Sequence, residues 1–195
     1  MTLAQLQYEV LGNLGFADDL AELTLDNLSL AAKGQLELKI EPLAERIKPL
    51  INRALEQMAR TFFPLRFNEQ VQLDAACRFL LSSLEHPVHR VDSVLCGSNP
   101  VIYFAHTTEI EVFCAPFATV DVRYSALPAP LAAAGDNAMQ NPLAPAGLCA
   151  TLATSFACAQ EGQRAAAAYW DAKYKDETAQ ILRSRSVMMP RRIWR

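Results

Sequence analysis

The hydrophobic period of this chain changes twice, from 3.6 residues to 2 near residue 67 and back after residue 130. A chain written that way is limited to a helical body interrupted by a block of strands. The plainest helical stretch is "EPLAERIKPLINRALEQMARTFF", residues 41–63. Leu43, Ile47, Leu50, Ala54, Leu55, Met58 and Phe62 share one face, and Glu45, Lys48, Arg53, Glu56 and Arg60 the other. Pro42 suits a first-turn position, Pro49 predicts a kink or a restart, and Pro64 ends the helix. Before it, Thr2 is placed to cap a helix through Leu3, Leu6, Val10, Leu11 and Leu14, with Gly15 as its stop. Asp26 is expected to cap a short helix through Leu28 and Ala31 that ends at Gly34.

The middle third alternates. "EQVQLDA" sets Val71 and Leu73 against Gln70, Gln72 and Asp74. "VHRVDSVLC" reads as a strand, "GSNP" at 97–100 as a turn, and "VIYFAHTTEIEVF" as further strand. "TVDVRYSAL" puts Val120, Val122 and Tyr124 on one face and Asp121, Arg123 and Ser125 on the other. After the proline-broken connection "LPAPLAAAGDNAMQNPLAP", helices are expected over roughly 143–160 and 162–184, the second with Asp171 and Lys175 at i,i+4. The expected class is therefore α+β, mainly helical. Residues 1–66 and 131–185 form the helical body, 67–130 an antiparallel β domain, and 186–195 an extended basic segment.

Chemistry does not converge in this pattern. Pro87 keeps "HPVH" (His86, His89) off a helix, no Cys-x-x-Cys accompanies it, and His106 stands apart, so neither metal nor cofactor is expected. Glu109 and Glu111 share a strand face, a spacing compatible with glycoside hydrolysis, but alternation with Ile110 and Val112 is how any half-buried strand looks. The one Gly-Ser, Gly97-Ser98, lies in a turn, and no phosphate-binding loop is present. Five cysteines (Cys77, Cys96, Cys114, Cys149, Cys158) are an odd number and read as reduced thiols; Cys77, Cys96 and Cys114 sit among apolar neighbours, as small buried hydrophobes do. "MTLAQLQYEV" lacks the form of a signal peptide, and no run is apolar enough for a membrane span. The net charge of −3 argues against a dedicated nucleic-acid binder.

"SVMMPRRIWR" is different. Arg183, Arg185, Arg191, Arg192 and Arg195 occupy the last thirteen positions without an acid, and Ile193 and Trp194 stand among them. Arg with Trp is the pairing enriched at interface anchors, and Pro190 stiffens the approach. Arg185, Arg191, Arg192, Ile193, Trp194 and Arg195 are the expected partner-binding residues, running extended from a helix that ends near Arg183.

Taken in order, "PLINRALEQMARTFFPLRFNEQVQL", "RFLLSSLEHPVHRVDSVL", "TVDVRYSALPAPL", "GDNAMQNPLAP", "AAAYWDAKYKDE" and "PRRIW" resemble the head-to-tail adaptor proteins of tailed bacteriophages, of the tail tubular protein A or gatekeeper type. Residues 15–40 carry none of the matched pieces. The resemblance implies a helical bundle with an inserted β domain, and a ring of about twelve copies around a channel. The ring would dock on the portal, carry the tail nozzle or tube, and touch the genome only in transit, so the protein would be made in the host cytoplasm and end at the head–tail junction of the virion. Two other classes compete: a binding or scaffolding module using the Arg/Trp segment, and a hydrolase using Glu109 and Glu111.

Overall fold

A computed structural model of the chain describes residues 1–23, 30–137 and 145–187. They combine helices with antiparallel sheets in two units. One unit joins Met1–Leu55 to the chain from Pro130 onward, and the other is Glu56–Ala129.

In the first unit, α1 (Leu3–Leu11) starts where Thr2 predicts. The Thr2 hydroxyl accepts from the Gln5 amide while the Gln5 side chain accepts from the Thr2 amide, a reciprocal cap. The amides of Leu3 and Ala4, which a helix start leaves orphaned, donate to the carbonyls of Asp136 and Ala134. Leu3, Leu6, Val10 and Leu11 are buried. A π-turn, Gly12–Phe16, follows, and Gly15 at φ +97° breaks the run before α2 (Ala17–Leu23). Only glycine takes that angle cheaply, which is why the stop falls there.

Helix α3 runs unbroken from Leu30 to Thr61 and contains both Pro42 and Pro49. The expected end at Gly34 and the expected start at Pro42 are both overturned; Asp26 and Leu28 lie outside the described residues. The reason is position. The two prolines are seven residues, or about two turns, apart. Both are exposed, so the carbonyls of Leu38 and Glu45 that they orphan are on the side open to water. The opposite face buries Ile40, Ile47, Ile51 and Ala54. Packing there outweighs one weak glycine, which costs about 1 kcal/mol relative to alanine. Ile51 is fully buried, and truncating it to alanine is expected to cost roughly 2–5 kcal/mol. At the far end Phe62 is exposed and Phe63 buried, contrary to the face drawn from the sequence. Pro64 disfavours helical geometry at Phe63, and the helix ends at Thr61, so Phe62 and Phe63 lie beyond its last turn and the two rings separate.

Helices α4 (Ala146–Gln160) and α5 (Arg164–Val187) pack on each other, and α1 packs on α4. Small residues let α4 be buried almost all round, through Leu148, Cys149, Ala150, Leu152, Ala153 and Ala157. Gly162 at φ +77° makes the turn between them, and the Ser155 hydroxyl donates to the Ala167 carbonyl at 3.0 Å. Asp171 and Lys175 form the expected i,i+4 ion pair at 2.5 Å.

The second unit holds two antiparallel sheets. Strands β1 (Leu65–Gln72), β3 (Val88–Cys96), β4 (Asn99–Val101) and β7 (Thr119–Ala126) form one in the order β1-β7-β3-β4; β2 (Arg78–Leu80), β5 (Tyr103–Ala105) and β6 (Glu109–Val112) form the other in the order β2-β6-β5. Strand β1 starts directly after Pro64, four residues before "EQVQLDA" suggests. The turn after β3 is Gly97-Ser98 alone, with Gly97 at φ +62°, because Asn99 and Pro100 already pair in β4. Both sheets contribute to one core: Phe79, Ile110 and Val112 from one, Val94, Val120, Val122 and Tyr124 from the other. Ser125 is buried rather than solvated, its hydroxyl donating to Asp92 Oδ2 at 3.1 Å. Strand β7 is central, and side chains of both neighbours shield a small residue there.

Candidate functional site

The basic segment divides at a different place from the one expected. Helix α5 continues to Val187, past the expected end near Arg183, so Arg185, Ser186 and Val187 are helical. Valine lowers helix stability by only tenths of a kcal/mol, and Pro190 restricts the residue before it and clashes one turn back, not earlier. Arg191, Arg192, Ile193, Trp194 and Arg195 lie outside the described residues.

Glu109 and Glu111 are not simply solvated. Strand pairing sets Arg78 opposite Glu111 and Leu80 opposite Glu109, while Phe79 and Ile110 between them point into the core. All four outward side chains therefore share one face. The Arg78 guanidinium forks across it: Nη1 lies 2.9 Å from Glu109 Oε1 and Nη2 3.2 Å from Glu111 Oε2. His106 Nε2 is 3.6 Å from the same Glu111 oxygen. Glycoside hydrolysis requires one carboxyl to donate a proton while the other attacks or activates water across a cleft. Here both are engaged by one cation on an open sheet face.

Around that ion cluster the face is apolar. Leu80, Ile102, Phe104 and Phe113 are each more than half exposed. The rings of Phe104 and Phe113 meet edge to face at 5.4 Å, and the Phe113 amide donates to the Ile102 carbonyl. Strands β2 and β5 are the edges of this sheet. Edge strands carrying exposed aromatic and aliphatic side chains mark a contact surface. A trace existed in the sequence: apolar Leu80 and Phe104 alternate with apolar Phe79 and Tyr103, which a strand wet on one face does not need. The second sheet itself was not foreseen.

The remaining candidates are structural. His86 precedes β3 and stacks on Phe67 with ring centroids 3.9 Å apart, whereas His89 is exposed and lies within β3. Among the described residues no group of three or more His, Cys, Asp or Glu is arranged to hold a metal ion, and no helix is long and apolar enough to cross a membrane. Tyr124 donates to Glu69, whose second oxygen accepts from the Glu85 amide at 3.0 Å. Burial, then that hydrogen bond, pushes the phenol's pKa upward. Cys149 is deeply buried, its thiol pushed up to about 12 by desolvation. Cys77, Cys96 and Cys114 are only half-buried, against expectation, because the ends of β3 and β6 are at the rim of the core.

A protein-family model described as SU10 adaptor protein matches residues 1–194. No curated protein matches the chain at a significant level.

Proposed function

The chain belongs to the SU10 adaptor protein family, structural components of bacteriophage virions, and from that premise we propose that it joins the portal to the tail as a subunit of a head-to-tail adaptor ring. The carrying observation is the extent of the match, which takes in both helical segments, the β unit and the basic segment as far as Trp194. In this reading the helices form the bundle of each subunit, and about twelve copies close a ring by one repeated heterologous contact. The outer face of β2, β5 and β6 belongs to that contact, with Leu80, Phe104 and Phe113 supplying the apolar part and Arg78 with its two glutamates fixing register. Net negative charge suits a channel through which DNA must slide without sticking.

Residues Arg185, Arg191, Arg192, Ile193, Trp194 and Arg195 are the clamp. Arginines crowded together need carboxylates, which a neighbouring adaptor or portal subunit supplies in bidentate pairs, and Trp194 fills a pocket of that partner. The test is native mass spectrometry of the full chain with and without purified portal rings, beside a variant lacking residues 188–195. The full chain is expected to assemble on the portal in about one copy per portal subunit, and the truncated one to stay folded but bind poorly. Failure of the full chain to bind overturns the adaptor reading. Undiminished binding by the truncated chain overturns only the clamp.

A further inference from the structure

Cys96 closes β3 in the four-stranded sheet, and Cys114 lies two residues beyond β6 in the three-stranded one. Their sulfurs are 3.0 Å apart, with Cys114 Sγ directed at Cys96 Sγ. A disulfide has an S–S length of about 2.05 Å, so a movement of roughly 1 Å separates the pair from a bond, with no change of strand pairing. The surroundings hold Cys114 in place: its amide donates to the Val112 carbonyl at 2.9 Å, and its carbonyl accepts from Cys77 Sγ at 3.2 Å. Both thiols are half-buried at the rim of the unit, where a small oxidant can reach them, unlike the buried Cys149 and Cys158.

We propose that Cys96 and Cys114 are an oxidisable dithiol that closes into an intrachain disulfide linking the two sheets. The oxidant is a small-molecule disulfide such as oxidised glutathione. Deprotonated Cys114 attacks one sulfur of the oxidant, forming a mixed disulfide and expelling one thiolate. Deprotonated Cys96 then attacks the Cys114 sulfur, forming the protein disulfide and expelling the second thiolate. The protein loses two electrons and two protons, and the oxidant becomes two thiols. The hydrogen bond shared by the two thiols, and then burial, hold the Cys96 thiol above its ordinary pKa, so closure accelerates as pH rises toward the thiol range. The bond ties the segment carrying Phe113 to the end of β3, and so fixes one wall of the exposed aromatic face.

The test uses the full chain, purified reduced and exposed to oxidised glutathione in native buffer. Intact mass is expected to fall by two hydrogens with no glutathione retained, non-reducing peptide mapping to recover Cys96 joined to Cys114, and the melting temperature to rise by several degrees. Cys96→Ser and Cys114→Ala should each abolish closure, the remaining thiol instead holding glutathione. Retention of glutathione on the native chain, a link through Cys77, loss of two hydrogens in either variant, or an unchanged melting temperature after oxidation each overturns the proposal.

Discussion

The side-chain amide of Asn52 pairs with both backbone groups of Leu131. Its Nδ2 donates to the Leu131 carbonyl at 3.1 Å, and its Oδ1 accepts from the Leu131 amide at 2.8 Å. One amide thus satisfies a donor and an acceptor on a buried residue 79 positions away, where the chain rejoins the helical unit. Asn52→Ala leaves both backbone groups unpaired and is expected to destabilise that unit by about 2 kcal/mol or more. Urea unfolding followed by far-UV circular dichroism measures the loss. A change below a few tenths would mean that water replaces the pair.

Tyr124→Phe tests the contact across β1 and β7. The fully buried Tyr124 phenol donates to Glu69 and accepts from the His86 backbone amide. Removing the hydroxyl keeps the ring but deprives both partners, at an expected cost of about 1–3 kcal/mol. The β unit should unfold at lower denaturant concentration with an unchanged slope.

Glu9 carries a pH dependence whose sign is set by burial. Desolvation raises its pKa above the ordinary 4.5, with Lys173 opposing the rise and Glu177 adding to it. The folded state therefore binds this proton more tightly than the unfolded one. Its contribution is fully present below pH 4.5 and is lost as pH rises through the folded pKa. Glu9→Gln should raise the melting temperature at pH 7 and leave it nearly unchanged at pH 4, read by calorimetry across that range. A higher melting temperature at pH 4 alone would contradict the assignment.

On the outer face of the second sheet, Glu109→Gln or Glu111→Gln each removes one of two part-exposed ion pairs and should cost no more than about 1 kcal/mol. Arg78→Met removes both pairs and leaves two like charges on one strand face, so its cost should be larger and should shrink in high salt. Thermal melts at low and high ionic strength separate the two. Equal effects from all three substitutions would show that Arg78 does not bridge the glutamates.

Where an element is set by neighbours in sequence, reading residues was enough. The cap at Thr2, the span Val88–Cys96, the buried row Val120, Val122 and Tyr124, and the Asp171–Lys175 pair each follow from spacing within a turn or along a strand. The same local texture, in order, carried the resemblance to phage adaptors. Half of the candidate surface was visible as Glu109 and Glu111. Arg78, which defines what they do, was not, because it lies on a strand 31 positions away from Glu109.

Tertiary structure decided what depends on which distant groups meet. Gly34, Pro42 and Pro49 are breakers by propensity, yet α3 passes through all three because burial of its Ile47 and Ile51 face outweighs local costs of a few kcal/mol. Three-residue strands such as β2 have no periodicity to read, and exist because β6 supplies their partners. The approach of Cys96 to Cys114 and of Asn52 to Leu131 is likewise long-range. Alternation along a strand states which side chains share a face; which other strand that face meets is settled only when the two sheets together exclude water from the core of their unit.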